Sequence, residues 1–276
     1  MIVMASNLST PQVEAVIFDW AGTTVDFGCC APAAVFIEVF KRKGVEVTLK
    51  QARGPMGMHK RDHIRILTQL DPVAEQWTAK YGARPTEEDV EAMFTEFVPL
   101  QVAAIASHAD IISGAVETIA ALRDRGLKIG STTGYNAEMM AVLVPLATAS
   151  GYSPDCMVCV SDVPQGRPAP DMALEAMKRL GIGDPACCVK VGDTVADIHE
   201  GLNAKMWSIG VVDHGNEVGL SRAEFDATPA PRLAERRKIA QRRLANAGAH
   251  YVANTIRDTP TCIDTINKRL ATGERP

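Results

Sequence analysis

Short apolar runs that read as strands alternate with longer segments of helical periodicity, and this alternation limits the fold more than any other feature. The runs VEAVIFD (13–19), LKIGST (127–132), DCMVCVSD (155–162), CCVKVGD (187–193) and WSIGVV (207–212) are brief and rich in Val, Ile and Cys. Segments such as GAVETIAALRDRG (114–126) and PDMALEAMKRLG (170–181) separate them. Strand and helix in turn imply an α/β fold, a Rossmann-like doubly wound parallel sheet with helices on both faces. The exception is 27–110, where APAAVFIEVFKRKG, MHKRDHIRILTQL and TEEDVEAMFTEFVPLQVAAIASH suggest helices, with Pro99 as a breaker inside the last. We therefore expect a catalytic core formed by 1–26 and 111–276, and a helical cap domain, 27–110, inserted after the first strand above the carboxyl edge of the sheet.

That edge is where open α/β sheets bind ligands, so acids there need explaining. Asp19 ends the first apolar run and enters the turn DWAGTT (19–24), where it suits a nucleophile, a metal ligand, or both. Three other stretches fall at or just beyond strand ends: STTGY (131–135), GRPAPD (166–171) and GDTVAD (192–197). Singly, each has a plainer reading as a turn, a helix cap or a surface arginine. Together they supply carboxylates at Asp19, Asp193 and Asp197, hydroxyls at 131–133 and the guanidinium of Arg167. Such a set suits phosphoryl transfer: Mg²⁺ on carboxylates, a cation and hydroxyls on the phosphoryl oxygens, and a nucleophile in line with phosphorus.

Composition removes other classes. With 276 residues, 46% hydrophobic and 22% charged, the chain can bury a large core. A net charge of -4 gives no global pull toward nucleic acid or anionic membrane, and no run approaches the roughly 20 apolar residues of a membrane span. The basic run RLAERRKIAQRRLANAG (232–248) carries Leu233, Ala240, Leu244 and Ala247 at helical spacing, which reads as a solvated amphipathic helix. The opening MIVMASNLSTPQ has no Lys or Arg before its apolar patch, so it makes a poor signal peptide, and the sequence predicts a cytoplasmic protein with a frayed start. Seven scattered cysteines, an odd number, argue for reduced thiols. Cys156 and Cys159 have redox-like spacing but lie in a strand-like run and read as buried core.

The four stretches resemble the four motifs of the haloacid dehalogenase superfamily. FDWAGTTVDFGC, PMGMHKRDHIR, IGSTTGY, GRPAPD and VGDTVAD together are similar to its phosphonatase family over nearly the whole chain after residue 12. The resemblance implies hydrolysis of the P–C bond of phosphonoacetaldehyde to acetaldehyde and phosphate. It implies Asp19 as nucleophile, Mg²⁺ bound by Asp19, the Ala21 carbonyl and Asp193, support from Asp197, and Thr133 with Arg167 on the phosphoryl group. Gly22 and Thr23 complete the nucleophile loop, Met56 and Tyr135 line the substrate pocket, and a homodimer forms through the cap. One departure is His59, which precedes Lys60 where the family pattern has an apolar residue.

Ala21 is the informative position, because related ester-cleaving sites carry a second Asp there to protonate the leaving oxygen. A carbon leaving group needs an electron sink instead. A lysine condensed with the aldehyde as a Schiff base provides one. Lys60 opens a helical segment in which Ile64 and Leu67 share its face, so that face should turn inward and the amine lose part of its proton affinity. His63 lies within reach to orient the amine or shuttle a proton, against a plain structural role. His59 and His63 have i, i+4 spacing, but no third ligand or general-base Glu lies between them. Cys29, beside the first loop, reads as a buried inert thiol. Competing readings are a phosphomonoesterase or dehalogenase on the same fold, and a non-catalytic phosphate-binding protein.

Overall fold

The computed structural model describes residues 11–276, so most of the opening stretch for which fraying is expected lies outside the described residues. Six parallel strands form one sheet: β1 (Ala15–Phe18), β2 (Lys128–Thr133), β3 (Cys156–Cys159), β4 (Cys188–Gly192), β5 (Trp207–Val211) and β6 (Tyr251–Ala253). Their order is β3-β2-β1-β4-β5-β6, the doubly wound arrangement, and the order reverses between β1 and β4. β1 is apolar throughout because both its faces are covered. Val16 and Phe18 join one core cluster with Ile119 and Leu122 of α6 (Ala115–Asp124), and with Met139 and Leu143 of α7 (Ala137–Ala149). Ala15 and Ile17 join the opposite cluster with Met172, Ala173 and Ala176 of α8 (Asp171–Arg179).

Between β1 and α6 the chain forms helices: α1 (Cys30–Arg42), α2 (Leu49–Arg53), α3 (Lys60–Gln69), α4 (Asp71–Tyr81) and α5 (Glu87–Ile105). Two of these, α2 and α4, were not evident from periodicity. α5 runs unbroken through Pro99, so the expected break does not occur. The chain's crossings into and out of this insert lie side by side. Asp26 N–H donates to Asp110 O at 3.2 Å, and Ile112 N–H donates to Thr24 O at 2.9 Å. After β4 come α9 (Val195–Asn203), α10 (Arg222–Ala227), α11 (Ala230–Asn246) and α12 (Thr259–Ala271). The basic run is helical as α11, with Leu233, Ala240 and Leu244 buried. β6 escaped the sequence reading, because three residues at a sheet edge leave too short a pattern to recognise.

All seven cysteines are free. Among the described residues no helix is long and apolar enough to cross a membrane.

Candidate active site

The site forms where the strand order reverses. Asp19 leaves β1 still registered on β4, its N–H donating to Val191 O at 2.9 Å. The chain then turns tightly: the N–H groups of Thr23, Thr24 and Val25 all reach Trp20 O. Gly22 is required twice over. Its φ is +86°, and a Cβ there would lie 2.2 Å from Asp193 Oδ2. The Thr23 hydroxyl donates to Asp193 Oδ1 at 2.9 Å, tying the loop after β1 to the carboxylate after β4. Asp197 sits in the first turn of α9 and is shared with its cap: Thr194 Oγ1 donates to Asp197 Oδ2 at 2.6 Å.

Arg167 arrives from the loop between β3 and α8 and is buried among carboxylates. Its Nη1 lies 2.8 Å from Asp19 Oδ1 and 3.1 Å from Asp197 Oδ1, and its Nε donates to Glu200 Oε2 at 2.7 Å. Nη2 donates to Thr132 O and Oγ1 at 3.1 and 2.9 Å. Burial opposes the guanidinium charge, but Asp19, Asp197 and Glu200 outweigh it and hold its pKa well above the ordinary value. A second buried cation joins them: Lys190 Nζ is 2.9 Å from Asp197 Oδ1 and 3.4 Å from Glu200 Oε2.

These partners divide the three aspartates. For Asp197, burial works upward, but Arg167 and Lys190 prevail and hold the carboxyl below its ordinary pKa. Among the described residues Asp193 receives only neutral donors, Thr23 Oγ1 and the Asn216 N–H at 2.7 Å. Burial, then repulsion from Asp19 and Asp197, pushes its carboxyl well above the usual range. Asp19 is raised as well, by burial and by Asp197, against the pull of Arg167 and Lys190. Ligand atoms of the three acids lie within 4.8 Å of one another. Three acids crowded together, one of them with no cation beside it, could hold a divalent metal, and oxygen donors suit a hard one. Asp193 has the uncompensated charge; Asp19 shares Arg167 with Asp197 and Glu200, and Asp197 has Lys190 as well.

The helical insert closes over this edge. Met56, Gly57 and Lys60 come from the insert, Cys29 from its entry, and Asp19, Ala21, Thr133, Gly134, Tyr135, Arg167 and Thr194 from the sheet side. Together they enclose a cavity of about 10 Å³, room for roughly one water molecule. Arg167 Nη1 donates to Gly57 O at 3.3 Å across the boundary. Lys60 is buried on the same helical face as Ile64 and Leu67. Its amine lies 5.2 Å from the centre of the Tyr135 ring and 5.8 Å from that of Phe36. Unlike Lys190, it has no carboxylate within ion-pair distance among the described residues. Burial lowers its pKa, and Arg167 pushes the same way, against Cys29, Asp19 and Asp193.

The neighbours of Lys60 are ordered. His63 stacks on Phe36, and its Nε2 is 2.8 Å from Ala52 O. A carbonyl only accepts, so Nε2 carries the proton and Nδ1 is a bare acceptor, buried without a partner among the described residues. Burial, then Lys60, pushes the His63 pKa well below its ordinary value. Gln101 Nε2 donates to Tyr135 Oη at 3.0 Å, and the Tyr135 N–H donates to Thr133 Oγ1 at 3.2 Å. Burial raises the Cys29 thiol well above its ordinary value, aided by Asp193 and Asp26. His59 lies apart at 3.6 Å from Asp62, and with His63 committed to Ala52 the pair forms no metal group among the described residues.

Comparison with known proteins agrees with this geometry. A family model described as haloacid dehalogenase-like hydrolase matches residues 13–205. A phosphonoacetaldehyde hydrolase of Syntrophobacter fumaroxidans is 48% identical over 267 residues, covering 97% of this chain and 96% of that protein. One from Nitratidesulfovibrio vulgaris is 48% identical over 264 residues, covering 96% and 94%. The chain belongs to the haloacid dehalogenase-like hydrolases, in the family of the phosphonoacetaldehyde hydrolases. A crystal structure from this family, a phosphonoacetaldehyde hydrolase-like protein of Oleispira antarctica, superposes with a TM-score of 0.95 at 42% identity, covering 100% of both chains. A β-phosphoglucomutase from Clostridium difficile, at 18% identity and a TM-score of 0.66, shares the hydrolase fold alone.

Around this candidate site, sequence reasoning missed Lys190, Glu200, Gln101 and Asn216. Lys190 left a signal: a lysine inside CCVKVGD, a strand otherwise apolar on both faces, has to find buried acids. Glu200, three residues beyond Asp197 on α9, shares its helical face. Gln101 and Asn216 left none, since their partners are distant in sequence.

Proposed function

We propose that the protein hydrolyses the P–C bond of phosphonoacetaldehyde, giving acetaldehyde and phosphate. One observation carries the reading. A lysine that is buried and, among the described residues, has no carboxylate partner faces the same small cavity as a strand-end aspartate, and the position for a leaving-group acid is Ala21. The 48% identity to relatives named for this activity supports it.

Lys60, its proton affinity lowered by burial, attacks the aldehyde carbon. His63 Nδ1 takes a proton from the attacking amine and returns it to the carbinolamine oxygen; uptake of one proton from solvent and loss of water then leave a protonated imine. Asp19 attacks phosphorus, and the P–C electron pair moves into the imine, so that an enamine remains on Lys60 and a phosphoryl group on Asp19. Arg167 and Thr133 hold the phosphoryl oxygens. Water then releases phosphate from Asp19, while the enamine takes a proton at carbon and is hydrolysed to acetaldehyde and free Lys60. Asp19, the Ala21 carbonyl and Asp193 would hold Mg²⁺, with Asp197, paired to Arg167 and Lys190, in support. Mg²⁺ supplies positive charge that lets an anionic phosphoryl group approach carboxylates. Gly22 and Thr23 keep the loop after β1 on Asp193, and Met56 and Tyr135 shape the pocket. Cavity room for about one water supports the insert, residues 27–110, acting as a cap that moves to admit substrate.

Seven free thiols support a cytoplasmic location. A groove of about 610 Å³ on the insert, bordered by Pro55, Ile66 and Leu70, supports a homodimer through the cap, which light scattering tests. The decisive experiment is borohydride with acetaldehyde: irreversible inactivation with the modification on Lys60 supports the mechanism. Untouched activity, or good phosphonate cleavage by Lys60→Arg, sinks the Schiff-base mechanism.

A further inference from the structure

The loop after β5, residues 213–219 (DHGNEVG), has no part in the steps above, yet it joins the metal-site carboxylate to the helical insert. On the core side the Asn216 N–H donates to Asp193 Oδ2 at 2.7 Å. Gly215 lies so near that a Cβ there would sit 2.6 Å from Asp193 Cβ. On the insert side the Asn216 side chain and Arg53, the last residue of α2, exchange hydrogen bonds in both directions. Arg53 Nη1 donates to Asn216 Oδ1 at 3.1 Å, and Asn216 Nδ2 donates to Arg53 O at 3.2 Å. The crossing into the insert is held between them: Arg53 Nη1 donates to Gly28 O at 2.7 Å, while the Gly28 N–H donates to His214 O at 2.8 Å.

His214 anchors the loop to the nucleophile turn. Its Nε2 accepts from the Ile256 N–H at 3.0 Å, so Nδ1 carries the proton and donates to Gly22 O at 2.7 Å. Carboxylates that hold metals take their orientation from such outer donors. The two-way Arg53–Asn216 exchange exists only while the insert is seated. Lifting the insert breaks both bonds and the Gly28–His214 bond, and frees the insert-facing side of the loop whose N–H holds Asp193.

We propose that residues 213–219 are a latch that couples seating of the helical insert to placement of the Asp193 carboxylate, with Arg53 and Asn216 as its grip. Both are positioning residues, since neither side chain lines the reacting cavity. The proposal rests on the reading that Asp193 holds the metal, and it adds a dependence of that site on the insert.

The test uses Asn216→Ala, which keeps the backbone N–H to Asp193 and removes only the grip, and Arg53→Met, which keeps most of the apolar stem. Mg²⁺ affinity is measured by calorimetry on the metal-free full chain, and hydrogen exchange is followed at 26–29 and 106–111. Each variant should bind Mg²⁺ about tenfold more weakly, the lower end for loss of an outer-shell partner. Each should exchange faster at both crossings. The double variant should be no worse than either single one, because one link has been cut. Normal Mg²⁺ uptake by the wild type with unchanged affinity in both variants overturns the latch alone. Weaker binding without faster exchange at the crossings, or effects that add fully in the double variant, also overturn it. A wild type that takes up no Mg²⁺ overturns the metal reading and, with it, any coupling to Asp193. Should one variant fail to fold, the other carries the same comparison.

Discussion

Gly134→Ala isolates closure of the insert from the chemistry beneath it. Gly134 follows β2 and has no left-handed backbone angle, so alanine is conformationally acceptable there. The obstacle is the insert: a Cβ at 134 would lie 2.6 Å from Met58 O and 2.8 Å from Gly57 O. Both are backbone oxygens in the turn that leads into Lys60, and neither can rotate aside. Overpacking of this kind costs about 1–3 kcal/mol. A contact with rigid backbone belongs in the upper part of that range, about 2–3 kcal/mol, which is roughly 30- to 150-fold at about 1.4 kcal/mol per factor of ten. The penalty falls only on the seated form, where Lys60 from the insert meets Asp19 from the core. The variant should therefore lose roughly that factor in kcat/KM for phosphonoacetaldehyde, yet still be modified on Lys60 by borohydride with acetaldehyde, which needs no phosphoryl transfer. Its melting temperature should change little, because the insert can rest slightly open. A kcat/KM within about threefold of wild type would show that this close approach is not needed for catalysis.

Other perturbations follow from the same geometry. Asp19→Asn and Asp193→Asn should fold and lose activity by more than about a hundredfold, the first for want of the attacking oxygen; calorimetry should find Mg²⁺ binding weakened in the second. Ala21→Asp puts another carboxylate beside raised Asp19 and Asp193, so phosphonate turnover should fall; turnover equal to wild type breaks the link between Ala21 and leaving-group chemistry. Lys190→Met leaves Asp197 and Glu200 facing one cation instead of two and should cost about 3–5 kcal/mol in denaturant unfolding, the range for breaking a buried ion pair. Lys60 has its folded pKa below the ordinary 10.5, so between the two values the unfolded chain binds more protons and the contribution of Lys60 to stability rises with pH. Below the folded pKa the full penalty applies. Lys60→Met should then melt higher than wild type at neutral pH while losing all P–C cleavage, and a lower melting temperature would contradict the desolvation argument.

Much of this protein was legible locally. Hydrophobic periodicity is written along the chain, so five of the six strands and the buried face shared by Lys60, Ile64 and Leu67 could be read residue by residue. Asp19 at a strand end beside Ala21 likewise needed no knowledge of neighbours in space. Strand order is different in kind. That β4 lies against β1, so that Thr23 bonds Asp193 across 170 residues of chain, depends on which strands pair, and no local pattern encodes pairing. Burial alone also does not separate two lysines. Lys190 is held between Asp197 and Glu200, while Lys60 faces aromatic rings and a small cavity, and only the packed positions of the acids assign one to structure and leave the other free to react. Charge pairing is a property of distance in space, and the folded chain alone sets those distances.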